Sequence, residues 1–241
     1  MNSRNLLYIL TVTILLVAFL FIMINSASEI TVTSSSLQIS KTPPTIIIDA
    51  GHGGEDGGAV SDSGVVEKDI NLLIANNTSD LLNILGFDTI KTRDNDISLA
   101  TEESTIRLRK VADMKKRLEI FNSSDNNVIL SIHQNKFTDS KYYGTQIFYS
   151  PNNKYSSLLA EKIKFTVKQL LQPSNERECK KAGSEIYLLK NTYNPAVIVE
   201  CGFLSNSNEC NKLTDNIYQK QIAYSIATGF LDYYNTSDQE V

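Results

Sequence analysis

Apolar residues along this chain follow two patterns, short unbroken runs and positions that recur every three or four residues. The runs Thr45-Ile46-Ile47-Ile48 and Val128-Ile129-Leu130 lack polar alternation, as strands covered on both faces do. Between them, Ile70, Leu73, Ile74, Leu81, Leu82 and Leu85 share one side of a helix predicted over residues 68–85 and closed by Gly86. A second helix is predicted over 105–121, with Val111, Met114, Leu118 and Phe121 spaced for one face. The remaining pattern predicts strands at 45–49, 87–92, 128–132, 144–149, 185–189 and 196–199, and helices at 155–171 and 215–234. Strands separated by helices specify α/β architecture: a single-domain three-layer α/β/α fold with a mostly parallel central sheet.

Ahead of this domain the pattern changes. Residues 6–24 form an uncharged apolar run preceded by Arg4, long enough to cross a bilayer. A secretory signal has an apolar core of about 7–15 residues, so residues 1–27 read as a signal anchor or transmembrane segment. Cleavage near Ser26-Ala27-Ser28 is the alternative. Arg4 on the short side keeps that end in the cytoplasm and exports the rest. Residues 28–44, rich in Ser and Thr and closing with Pro43-Pro44, read as an exposed linker. The folded domain is expected over 45–236.

The net charge of −4 comes with Lys and Arg scattered along the chain, which leaves no electrostatic footprint for nucleic acid. Tryptophan is absent, so any sugar contact would rest on tyrosine or polar groups. Cys179, Cys201 and Cys210 make an odd count without CxxC spacing, which points to neither a disulfide framework nor a structural zinc knot. Cys201 reads as a small core residue, with a thiol nucleophile as the lesser alternative.

The chain has two histidines, and each ends an apolar run: Ile47-Ile48-Asp49-Ala50-Gly51-His52 and Val128-Ile129-Leu130-Ser131-Ile132-His133. Strands of an open α/β sheet deliver their last side chains to the rim where ligands bind. A pair of imidazoles there points to a metal. The glycines of 51–58 carry no Gly-Lys-Ser/Thr ending, and Asp56 occupies the third glycine position of the dinucleotide pattern. A tight turn that brings backbone close to an ion or substrate explains them better. Hydrolytic zinc takes three protein ligands and leaves a position open, and two histidines with a carboxylate are an established set. Glu55, Asp56, Asp62, Glu67 and Asp69 are the candidates, and residue chemistry alone leaves both Glu67 and Asp56 open. Glu67 also suits the acidic first turn of a helix. Glu200 ends the aliphatic run Val197-Ile198-Val199, where a carboxylate can act as general base and acid; a salt-bridged edge glutamate is the alternative.

These segments together resemble the zinc-dependent N-acetylmuramoyl-L-alanine amidases of the amidase-3 family. The match rests on Ile48-Asp49-Ala50-Gly51-His52-Gly53-Gly54, Glu67-Lys68-Asp69-Ile70-Asn71, Thr92-Arg93-Asp94, Arg117 with Asn122, Ser131-Ile132-His133-Gln134-Asn135, and Val199-Glu200-Cys201-Gly202-Phe203-Leu204-Ser205-Asn206. The resemblance implies that His52, Glu67 and His133 hold Zn2+ and that Glu200 is the catalytic carboxylate. It implies cleavage of the amide between N-acetylmuramic acid and the L-alanine of the stem peptide in peptidoglycan. The short anchored form is similar to the sporulation and germination branch, which implies spore-cortex maturation and an exported regulatory protein partner. The location implied is extracytoplasmic, on the membrane through the N-terminal segment. Two other functions remain to be weighed: a wall-glycan-binding protein with weak catalysis, and a zinc metallopeptidase, which the absence of HExxH disfavours. Residues 100–104 depart from the family pattern as a polar insertion without an assigned role.

Overall fold

The structure, a computed structural model, describes residues 42–237. In chain order these form β1 (Thr45–Ala50), α1 (Glu67–Ile84), β2 (Thr89–Lys91), α2 (Ile106–Phe121), β3 (Asn127–Asn135) and β4 (Gln146–Tyr149). There follow α3 (Ser156–Leu170), β5 (Lys180–Lys181), α4 (Tyr187–Asn191), β6 (Ala196–Phe203), α5 (Ser207–Leu213) and α6 (Asn216–Ser237). The sheet order is β2-β1-β3-β6-β4-β5. β2, β1, β3 and β6 run parallel; β4 joins β6 antiparallel and β5 lies parallel to β4. The architecture is the three-layer α/β/α arrangement with a mostly parallel sheet.

The apolar runs are continuous because successive strand side chains enter opposite layers. Ile46, Ile48, Val128, Leu130, Val197 and Val199 pack with α1, α3 and α6, whereas Ile47, Ile129, Ala196 and Ile198 pack with Phe121 of α2 and Leu188 and Leu189 of α4. Ile129 is wholly buried, and truncating such a side chain to Ala costs about 2–5 kcal/mol.

Several expectations need correction. Residues 185–189 do not form a strand: α4 occupies most of that span, because a short apolar run does not distinguish a buried strand from a buried helical turn. On α1, Ile70, Ile74 and Leu82 are buried but Leu73 is exposed, as is Leu85 just past its end. On α2 the buried residues are Arg117 and Phe121, while Val111 and Met114 lie exposed. That helix is held on the sheet largely by an ion pair rather than by the full apolar stripe. β5 and α5 were not anticipated. β3 and β6 extend to Asn135 and Phe203, so His133 and Glu200 sit within strands rather than beyond their ends. Residues 1–27 and most of 28–44 lie outside the described residues. No helix among the described residues is long and apolar enough to cross a membrane.

Candidate active site

His52 has a φ of 62°, the one non-glycine residue with positive φ among the described residues. A backbone held there costs on the order of 1–3 kcal/mol unless its surroundings enforce it. Here α2 enforces it: Arg117 Nη2 donates to the His52 carbonyl at 2.6 Å and Nη1 to the Ala50 carbonyl at 2.8 Å. The same guanidinium pairs with Asp49. Asp49 is fully buried and accepts further hydrogen bonds from Thr92 Oγ1 at 2.8 Å and Ser131 Oγ at 2.5 Å. Burial opposes the Asp49 charge, but Arg117 and these hydroxyls outweigh it and hold the carboxyl below its ordinary range. Arg93 adds donors to the Ala50 and Gly51 carbonyls, both at 3.0 Å.

The loop so pinned brings His52 to Glu67, the first residue of α1, and to His133 on β3. One ligand atom from each of the three lies within 4.8 Å of the others. Glu67 is buried between the rings, with Oε2 3.3 Å from His52 Nε2 and Oε1 3.0 Å from His133 Nδ1. It also accepts from the Ala59 amide at 2.8 Å, the Gln134 amide at 3.1 Å and Asn71 Nδ2 at 3.2 Å. Burial disfavours its charge, yet the two histidines lower its pKa well below the usual carboxylate range. His52 is likewise opposed by burial, but hydrogen bonds to Asp56 and Glu67 raise it to about 9. Such a pocket favours positive charge, and two imidazoles with one carboxylate form a donor set able to hold a metal ion.

Close approach explains two of the glycines. A Cβ on Gly51 would stand 2.2 Å from the His133 ring, and one on Gly58, at φ +70°, would stand 2.5 Å from Glu67 Oε2 and 2.7 Å from His52 Cδ2. The turn makes room for the His52, Glu67 and His133 side chains themselves.

Asp56, which chemistry alone kept open, lies behind the cluster. Its Oδ2 is 2.8 Å from His52 Nδ1, and Lys110 of α2 reaches Oδ1 at 2.8 Å. A carboxylate there orients the ring and leaves Nε2 facing Glu67, the arrangement that fixes a metal-binding tautomer. Glu55 pairs instead with Arg109, Asp62 with Lys136, and Asp69 is exposed, so none joins the cluster.

Glu200 stands beside His133, its partner in the β3–β6 register, and strands in a sheet are about 4.8 Å apart. It is no salt-bridged edge residue: β6 is interior to the sheet, and Glu200 Oε2 is buried without a hydrogen-bond partner. Burial pushes its pKa up to about 7, against the pull of His133. Cys201 is wholly buried on the same strand, and burial drives its thiol pKa upward, which leaves it unsuited as a nucleophile. Asn122 accepts from Thr192 Oγ1 at 2.9 Å and braces the turn before β6. Residues 100 and 101, at the start of the polar insertion, line a cavity of about 530 Å³ beside Asp56 and Lys110. Lys110 escaped sequence reasoning as part of the site, and Asp49 and Arg117 entered it only within the segments that carry the family resemblance, with no role or pairing assigned.

Comparison with known proteins matches residues 46–232 to the family described as N-acetylmuramoyl-L-alanine amidase, Amidase_3. The germination-specific N-acetylmuramoyl-L-alanine amidase of Bacillus subtilis is 35% identical over 190 residues, 78% of this chain and 79% of its own. The CwlD amidase of Clostridioides difficile, solved in complex with the GerS lipoprotein, is 43% identical with a TM-score of 0.77, covering 80% of this chain and 99% of that one. The amidase AmiC2 of Nostoc punctiforme is 28% identical with a TM-score of 0.67, covering 80% and 97%.

Proposed function

The chain belongs to the Amidase_3 family of N-acetylmuramoyl-L-alanine amidases and hydrolyses the amide between N-acetylmuramic acid and the L-alanine of the peptidoglycan stem peptide; we propose that it does so with Zn2+ held by His52, Glu67 and His133 and with Glu200 as the proton carrier. The observation that carries this proposal is the buried, unpartnered Glu200 Oε2 beside the His/Glu/His cluster. Zn2+ held by His52, Glu67 and His133 would supply Lewis acidity toward the scissile carbonyl and would lower the pKa of water toward ~7.

The chain's own groups do the rest. Asp56 orients the His52 ring through Nδ1, and Arg117 holds its backbone, so Nε2 is aimed toward Glu67 before substrate arrives. Glu200, whose pKa burial raises to about 7, accepts a proton from the attacking water. It then returns that proton to the departing L-alanine nitrogen, which leaves as an amine rather than an unstable anion. No covalent intermediate is required.

We place the domain outside the cytoplasm, tethered by residues 1–27 through the 28–44 linker, and assign it to spore-cortex maturation. The germination-specific Bacillus relative supports that role. The Clostridioides complex supports an exported lipoprotein-type partner. The test is to incubate the full chain with peptidoglycan, with zinc or a chelator, and identify the released ends by mass spectrometry. New L-alanine amino termini that vanish with chelator are expected. Termini at other residues would indicate a metallopeptidase, and binding without new termini a wall-binding protein; either result overturns the proposal. Normal muramic lactam in the cortex of a deletion strain would remove the sporulation role.

A further inference from the structure

β3 and β6 deliver His133 and Glu200, then continue across a register shift to the Asn135–Phe203 pair. The loop that leaves β3 there, residues 136–144, carries Phe137, Tyr142 and Tyr143, respectively 46%, 38% and 52% exposed. From His133 to Phe137 is four residues, at most about 14 Å of chain. Three half-exposed aromatic rings in one short loop differ from the singly scattered apolar residues of an ordinary surface.

The Phe137 and Tyr142 rings are held in place. Phe137 meets Tyr142 edge-on at 5.3 Å and lies 5.3 Å from the fully buried Phe203, over which the Arg177 guanidinium sits at 4.5 Å. The loop backbone is stapled as well: the Phe137 amide donates to Ser205 Oγ at 3.1 Å, Asn206 Nδ2 to the Ser140 carbonyl at 2.9 Å, and Arg177 Nε to the Tyr143 carbonyl at 2.7 Å. Rigid rings with few rotors lose little entropy when a ligand covers them. A loop needed only for closure has no call for this bracing.

We propose that Phe137, Tyr142 and Tyr143 form a stacking platform for the sugar rings of the glycan strand flanking the muramoyl residue that is cut. The proposal rests on peptidoglycan being the substrate. A pyranose ring offers an apolar C–H face and a rim of hydroxyls, matching amphipathic Tyr rings edged by donors such as Arg177. Glycan is favoured over a protein partner because the platform continues the rim that carries His133 and Glu200. A substrate threaded through the site must cross one side of that rim.

The test measures binding of fluorescently labelled, peptide-free glycan strands to the detergent-solubilised full chain by polarisation. Tyr143→Ser alone is expected to raise half-saturation about two- to tenfold, and Phe137→Ser with Tyr143→Ser tenfold or more. Phe137→Trp, which keeps a stacking face, should hold near wild-type binding. Phe165→Ser, an equally exposed ring on α3, should change nothing. Circular dichroism checks folding, and Tyr143→Ser serves if the double variant unfolds, since no ring contact holds Tyr143. Unchanged glycan binding in a folded platform variant overturns the proposal, as does equal weakening by Phe165→Ser; the former would leave the patch to a protein partner. Wild-type hydrolysis of a short muramoyl-peptide reports separately on the amidase assignment, so the two failures are distinguishable.

Discussion

Replacing Arg117 with Met removes the cation that neutralises Asp49 and keeps most of the aliphatic volume. The guanidinium donates to Asp49, to the Ala50 and His52 carbonyls at 2.8 and 2.6 Å, and to Asp113 at 2.6 Å. Asp49 would retain the Thr92 and Ser131 hydroxyls but lose its ion-pair partner while fully buried, with Arg93 and His133 acting on it only at longer range. Breaking a buried pair in this way costs about 3–5 kcal/mol, a large share of the roughly 5–15 kcal/mol typical of a domain. Removing both charges, as Asp49→Asn with Arg117→Met, should cost clearly less, since the fully buried charge at position 49 is gone and only the partly exposed Asp113 loses its partner. The loss has a pH signature. In the wild type the Asp49 pKa is lowered, so its contribution is present above the unfolded value near ~3.9 and is lost as pH falls. In Arg117→Met burial remains while the strongest lowering partner is gone, so the Asp49 pKa moves up from its wild-type position and the variant recovers stability as pH falls through it. The deficit should therefore narrow as pH falls through the variant's Asp49 pKa. Urea unfolding of the full chain, followed by circular dichroism at several pH values, measures both effects. A cost below about 1 kcal/mol, or a deficit that does not vary with pH, would refute the assignment of α2 docking to this ion pair.

His52→Ala and His133→Ala should each lower zinc content, whereas Glu200→Gln should keep zinc and lose on the order of 10²–10⁴ in turnover; metal analysis beside hydrolysis rates tells these roles apart, and full activity in Glu200→Gln would sink the proton-carrier role. Gly58→Ala places a methyl 2.5 Å from Glu67 Oε2 at a backbone angle hostile to side chains, and should weaken zinc binding about 10–100-fold in chelator competition; unchanged affinity would show that the loop yields freely. Deleting residues 1–27 should give a soluble chain with the circular dichroism of a folded α/β domain, and an unfolded product would mean that the segment belongs to the core.

The layer architecture was legible because it is written in short-range pattern. Three consecutive isoleucines in β1 are intelligible only if both faces of the strand are covered, and the structure buries all three. The site was legible for a related reason. His52, His133 and Glu200 each follow an aliphatic run, and parallel strands deliver such residues to one end of the sheet. Residue chemistry could not choose between Glu67 and Asp56, because both lie close to His52 along the chain and their separation in space depends on how residues 53–66 turn. Glu67 opens α1 and is carried between the two rings, while Asp56 folds back behind His52.

The sequence by itself determined which segments are buried and which residue types gather at the rim, since hydrophobic periodicity and strand ends are local properties. Tertiary structure decided what each face packs against. Periodicity assigned Val111 and Met114 to the core, but the buried Asp49–Arg117 pair sets the seat of α2 and leaves both exposed. Equally, residues 185–189 have an apolar pattern that suits strand or helix, and packing of Leu188 and Leu189 beneath the sheet beside Phe121 goes with the helix. The pKa of Glu200 also lies beyond sequence, because desolvation depends on neighbours that only the fold brings together.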